Sequence, residues 1–150
     1  MIKKLFETDK DLSRTLLRVL LGIVFIPHGA QKLLGWFGGK GFSATLQMFT
    51  SGLHIPLIFA ILAILVESIG AVALITGFLT RIAAFGIAVD MIFAISLVHL
   101  KNGFFMNWAG QQKGEGFEYH ILVVAIALAL MIKGGGRWAL DRMIRKRLRT

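Results

Sequence analysis

The chain of 150 residues contains no cysteine. That absence excludes disulfide frameworks, thiolate metal sites, iron–sulfur clusters and a dithiol relay within this polypeptide. Any electrons must therefore travel on a bound cofactor or a partner. Acidic residues are scarce as well, eight against 17 Lys and Arg, for a formal net charge of +9. Such a balance raises the question of nucleic acid, but groove-reading motifs and a soluble basic fold are missing. The basic residues crowd the two chain ends beside apolar runs, as expected for contact with anionic lipid headgroups rather than nucleic acid. Phosphate loops are excluded because the glycine pairs follow no strand, and no metal site is expected.

What the sequence has in abundance is apolar surface: 56% hydrophobic residues and a mean hydropathy of +0.73, values outside the range of soluble domains. The expected fold is all-α, a four-transmembrane-helix bundle with antiparallel neighbours, over residues 1–133 and with spans near 15–34, 56–77, 81–100 and 116–132. The first run of about 20 residues, at about 1.5 Å each, crosses a hydrocarbon core of about 30 Å. It reads as a retained span rather than a cleaved signal peptide, since it is long, contains His28 and Lys32 and lacks a small-x-small cleavage site. Residues 134–150 read as a basic cytoplasmic tail forming an interfacial helix, with Trp138 and Leu140 as apolar anchors.

Two loops, residues 35–54 and 101–117, are rich in glycine and carry Trp36, Phe37, Phe42, Phe49, Phe104, Phe105 and Trp108, an interfacial aromatic belt. By contrast, the link at residues 77–81 is so short that it forces an antiparallel hairpin. Ala63, Gly70 and Gly77 recur every seven residues, a small-residue stripe that invites close helix approach and carries Glu67. The same exposed small residues also allow a homodimer. Lys3, Lys4, Lys10, Arg14 and Arg18, then Arg81, then Lys133, Arg137, Arg142, Arg145, Lys146, Arg147 and Arg149 fall on one side of this topology. Only Lys32, Lys40, Lys101 and Lys113 fall on the other. The positive-inside rule then puts both termini in the cytoplasm and the aromatic loops outside, in a bacterial cytoplasmic (inner) membrane.

The candidate site starts from His28, Gln31 and Lys32, which at i, i+3 and i+4 share one helical face. A charge at the centre of a span costs roughly 2.5–3.5 kcal/mol on insertion scales, so this face should turn toward other helices or water. Counting depth from the inner ends at about 1.5 Å per residue puts His28 at about 20 Å, Lys32 at about 26 Å, Glu67 and Asp90 near 14–15 Å and Glu118 at about 22 Å. Side chains lean toward their own helix N-terminus, so His28 and Glu67 lean toward each other, and so do Lys32 and Glu118. Two pairs are expected, His28 with Glu67 and Lys32 with Glu118, around a shared cavity in the outer half. Asp90 leans elsewhere, and with Glu67 at its level one of the two acids is expected to hold a proton, because burial disfavours two charges. His99, nine residues on, falls about half a helical rotation from Asp90. His99 and His120 read as structural residues near the interface.

These residues together resemble the DoxX family of small four-helix bacterial membrane proteins. The resemblance rests on His28-Gly-x-x-Lys32-Leu in the first span, Glu67 followed by Gly70 in the second, the link Gly77-Phe-Leu-Thr-Arg81 running into an alanine-rich third span, and Glu118 opening the fourth. It implies a four-helix membrane bundle. In some relatives it implies similarity to the quinone-reducing membrane subunit of a thiosulfate oxidoreductase, and in others a link to oxidative-stress complexes with superoxide dismutase and a sulfurtransferase. Sulfur chemistry through the chain's own thiols is excluded by the missing cysteines.

Two classes of function follow. In the first, the chain is the membrane subunit of a quinone-linked oxidoreductase: His28 and Lys32 donate to a quinone carbonyl, Glu67 relays protons, and Glu118 holds Lys32. Here His28 and Glu67 are the candidate catalytic residues, and His28, Gln31, Lys32, Glu67, Asp90 and Glu118 the candidate ligand-binding set. A haem on His28 with His99 or His120 is a further redox option without a motif behind it. In the second class, the chain is a non-catalytic scaffold for partner enzymes, or a carrier of a small solute or lipid. Its support is the lack of any electron-carrying motif.

Overall fold

A computed structural model describes residues 6–8 and 10–147, so Lys3, Lys4 and Arg149 of the charge count lie outside the described residues. No strand occurs among them. The helices are α1 (Leu12–Leu33), α2 (Gly41–Gln47), α3 (Leu57–Thr76), α4 (Thr80–Ala94), α5 (Glu118–Lys133) and α6 (Leu140–Arg147). Helix α2 runs on through a π turn at Met48–Gly52, and α4 through a π turn at Ile95–His99 and a 3-10 turn at Leu100–Asn102. Three segments are long and apolar enough to cross a membrane: Leu12–Leu33 at 22 residues, Leu57–Thr76 at 20 and Thr80–Asn102 at 23. Helix α5 has 16 residues, about 24 Å at about 1.5 Å each, somewhat less than a hydrocarbon core of about 30 Å.

Helix α1 packs on α3, α3 on α4, and α4 on α5. Along α3 the buried stripe is Ala60, Ile64, Glu67, Ala71 and Leu74, spaced alternately by four and three residues as one helical face requires. Of the expected stripe of Ala63, Gly70 and Gly77, only Gly77 shows a close approach, a Cβ there lying 2.5 Å from Ala139 Cα of the tail, whereas one at Gly70 would meet only Val66 of its own helix, at 4.0 Å. Close approach between spans comes from α1 instead. A Cβ on Gly29 would lie 2.5 Å from the Glu67 carbonyl oxygen, and one on Gly22 would lie 2.8 Å from that of Ala71. Two glycines seven residues apart thus seat α1 directly on the backbone of α3. Leu21, Phe25, Leu74, Ile87, Met91, Val123 and Leu130 fill the core among the four long helices.

One end of the bundle is tied together by polar groups that cap helix ends. Asp11 caps α1, accepting from the Ser13 N–H at 2.7 Å and from Arg14. Arg18, only 1% exposed, donates to the carbonyls of Leu74 and Ile75 at the end of α3 and, from Nε, to Gly135 O at 2.9 Å. Arg81 donates to Met131 O and Ile132 O, each at 2.7 Å, at the end of α5. These are the carbonyls that a helix C-terminus leaves without intrahelical partners. The chain reverses between α3 and α4 through Gly77 in the left-handed region, φ 71°, then Leu79 at φ 48°. The second residue is not a glycine, and its conformation is held by the tail: Asp141, 1% exposed, accepts from Leu79 N at 2.7 Å and Thr80 N at 2.9 Å. Its own N–H donates to Gly77 O at 2.9 Å. The start of α1, the α3–α4 link, the end of α5 and the tail therefore share one end.

Removing the Asp141 carboxylate (Asp141→Ala) should lower the thermal midpoint in detergent by an amount corresponding to about 1–2 kcal/mol, as for other lost helix caps, whereas Lys146→Ala on the exposed face of α6 should leave it unchanged. The Asp11 carboxyl is held below its ordinary value of 3.8, chiefly by the Arg14 side chain, against some desolvation and with help from the Arg14 and Ser13 N–H groups. A depressed carboxyl stabilises above its unfolded value and stops doing so as pH falls through the folded one. Amide exchange in the first turn of α1 should accordingly speed up only below about pH 4.

Candidate functional site: a buried ion cluster opposite the capped end

Toward the other end of the bundle, the seat of Gly29 on α3 brings the next turn of α1 over Glu67. Lys32 Nζ donates to Glu67 Oε2 at 2.5 Å, with the lysine 22% and the glutamate 8% exposed at the side chain. Asp90 of α4 meets Glu67 carboxyl to carboxyl and lies in the field of Lys32. Its Oδ2 is buried with no hydrogen-bond partner. One ammonium and two carboxyls on three helices thus form a compact group. Carboxyls in contact are stable when they share a proton, because two like charges at that distance repel strongly.

Helix α5 closes the group. Tyr119 is close enough to interact with Glu67, and its hydroxyl is buried without a partner. His120, 6% exposed, stacks on His99 with ring centroids 4.1 Å apart, and its Nδ1 is buried without a partner. The π turn at Ile95–His99 accounts for this meeting. A π turn underwinds the helix, so His99 does not sit half a rotation from Asp90 as it would on a regular α-helix. His99 Nδ1 also lies 2.9 Å from Glu115 O in the adjoining loop. His28 feels Lys32, Glu67 and His120, packs against Phe25 with ring centroids 6.2 Å apart, and is exposed at the bundle surface.

Each expected residue can now be placed. His28, Lys32, Glu67 and Asp90 come together; the partners differ from expectation. Lys32 takes Glu67, not Glu118, because Gly29 removes the spacing that would have let the lysine reach past α3. His28 has no hydrogen bond to Glu67, and Asp90 belongs to the cluster rather than standing apart. Glu118 is a loop organiser: Oε1 accepts from Met106 N at 3.1 Å and Trp108 Nε1 at 3.3 Å. Gln31 donates to Phe37 O at 3.1 Å and steadies the first loop. Shallow concavities among the described residues lie at Lys101, Asn102 and Lys113 and along α6, and the Lys32–Glu67 pair lines neither of them. Tyr119 went unnoticed in the sequence, although it sits one residue before His120 and is the chain's single tyrosine. Among the described residues, no group of three or more His, Asp or Glu is placed to hold a metal ion.

A helical membrane protein with an ion cluster buried among its spans is the class these features define. The chain belongs to the DoxX family, whose model matches residues 13–100. It is 34% identical over 137 residues to a Bacillus subtilis protein named "Putative oxidoreductase CatD", with 91% of this chain and 90% of that protein covered. It is 29% identical to the "Uncharacterized membrane protein Rv3486" of Mycobacterium tuberculosis, covering 96% and 88%, and 28% identical to the "Inner membrane protein YqjF" of Escherichia coli, covering 92% and 96%. No solved structure matches.

Two measurements test the cluster. Lys32→Met should destabilise by about 3–5 kcal/mol, because it leaves the buried carboxyls without their cation, while Glu67→Leu should cost less, since Asp90 stays in the field of Lys32, and the double variant should recover part of the Lys32→Met loss. Infrared spectra of the wild type should show a protonated-carboxyl band that disappears in Asp90→Asn; its absence from the wild type would rule out the shared proton.

Proposed function

We propose that the chain crosses the bacterial cytoplasmic membrane four times with both termini inside, and that its outer-half cluster binds the headgroup of a quinone for a partner oxidoreductase. Helix α5 is the fourth crossing in this reading. Its last turn is bound to the same end as the starts of α1 and α4, and the loop before it folds against the far end of α4. The excess of Lys and Arg at the capped end sets that end inside.

The observation that carries the ligand reading is the set of unpartnered buried atoms in one place: Tyr119 Oη, His120 Nδ1 and Asp90 Oδ2. A buried polar atom without a partner costs about 1–3 kcal/mol, and a molecule that supplies the missing bonds would account for the orphaned atoms of Asp90 and Tyr119 beside Glu67 and of His120 next to Tyr119. A quinone headgroup matches this chemistry, its two carbonyls accepting from the tyrosine hydroxyl and from an imidazole N–H; the concavities among the described residues are not lined by these side chains, so binding requires them to part and admit the ring. The exposed His28 then lies where such a molecule enters from the bilayer, with the Glu67 and Asp90 carboxyls beside it. A bound quinone supplies two-electron, two-proton redox capacity, and because this chain has no cysteine the electrons reach it from a bound cofactor or a partner rather than from a thiol relay. The name of the Bacillus subtilis relative supports an oxidoreductase setting.

The test is titration of purified protein in detergent with a short-chain soluble ubiquinone, followed by tryptophan and tyrosine fluorescence. Saturable quenching is expected, weakened roughly two- to ten-fold in each of Tyr119→Phe and His120→Ala, the range for one hydrogen bond. No saturable binding to folded wild type would reject the quinone reading in favour of a scaffold that gathers partner enzymes.

A further inference from the structure

Helix α6 has two faces with different fates. The face toward the bundle is tied down: Ala139 and Asp141 are buried, Asp141 caps α4, and Arg145 is committed to the N-terminal arm through Thr8 O at 3.0 Å and Glu7 Oε1 at 3.3 Å. The other face forms a shallow groove lined by Arg137, Trp138, Arg142, Met143 and Lys146. No carboxylate among the described residues pairs with Arg137, Arg142 or Lys146. Trp138 is 65% and Met143 60% exposed, the Arg137 guanidinium lies 5.5 Å from the Trp138 ring centre, and Arg142 Nη1 donates to Arg137 O at 3.3 Å. That last bond draws the Arg142 head toward Arg137.

Position makes this groove more than a solvated basic tail. Asp141 N–H donates to Gly77 O and the Asp141 carboxylate binds Leu79 and Thr80, so α6 is fixed at the level where α3 ends and α4 begins. In the four-span reading proposed above, that is the level at which hydrocarbon gives way to headgroups. Three cations without a carboxylate partner among the described residues lie there, beside an exposed tryptophan and methionine.

We propose that the outer face of α6 is a binding site for an anionic phospholipid, with Arg137, Arg142 and Lys146 around the phosphate and Trp138 and Met143 against the glycerol and upper acyl chain. Charge complementarity selects the headgroup, since cations near a bilayer surface attract anionic lipid. The exposed aromatic and thioether select a lipid over a free anion, as amphipathic helices at interfaces combine both terms. Tethering through Asp141 means that the site is preformed, so little ordering entropy opposes binding.

The experiment uses the full-length protein in neutral detergent, with phosphatidylglycerol and phosphatidylcholine added in equal amount and retained lipid counted by native mass spectrometry. Wild type should retain phosphatidylglycerol in preference. Because one juxtamembrane cation contributes about five-fold, Arg137→Gln with Lys146→Gln should reduce that preference roughly 25-fold, and Lys101→Gln with Lys113→Gln in the outer loop should leave it intact. Trp138→Ala, which keeps every charge, should lower retention of both lipids and so reports on the site even if the charge variant folds poorly. Equal retention of the two lipids by wild type, or no change in the charge variant with its thermal midpoint preserved, overturns the proposal. Displacement of phosphatidylglycerol by millimolar inorganic phosphate would also overturn it, by showing a site for free anions.

Discussion

Gly29 lying on the backbone of α3 is the contact from which the site follows. Without a Cβ there, α1 comes close enough for Lys32 to meet Glu67 directly. A charge in the hydrocarbon region is tolerable only when it is paired or wetted, so the closeness of two helices decides whether this lysine is a liability or half of an ion pair. Once the pair exists, Asp90 from α4 and Tyr119 from α5 fall beside it. Four helices then share a single polar interior, and each depends on the others to keep its own ionisable group out of lipid.

The same obligation is met differently at the two ends of the bundle. At the capped end, side-chain donors and acceptors are matched to helix termini: Arg18 and Arg81 serve the last carbonyls of α3 and α5, and Asp141 serves the first N–H groups of α4. Almost every polar atom there has a partner, Thr80 Oγ1 and Arg81 Nε excepted. In the opposite half, partners run short around Asp90, Tyr119 and His120. Buried side-chain atoms without a partner thus occur at both ends of the described residues, two at the capped end and three in the opposite half.

Membership of the DoxX family and the names of two relatives agree with a membrane protein. A π turn at Ile95–His99 carries His99 at the far end of α4. It shifts an imidazole by a fraction of a rotation and so turns an interfacial histidine into the partner of His120.

Composition and hydrophobic run length alone determined that this is an all-α membrane protein, since long apolar runs in lipid must satisfy their backbone internally and helices do so. Depth along each run singled out His28, Lys32, Glu67 and Asp90 as polar groups within the spans, but it paired Lys32 with Glu118 and set Asp90 apart. Pairing was decided by tertiary structure. Whether Lys32 meets Glu67 or Glu118 depends on interhelical distance and rotation, which the contact at Gly29 reflects, and neither quantity is encoded in the spacing of polar residues. The burial of Arg18 and Asp141 was equally invisible: in a list of residues they are charges at the chain ends, and only the returning tail encloses them.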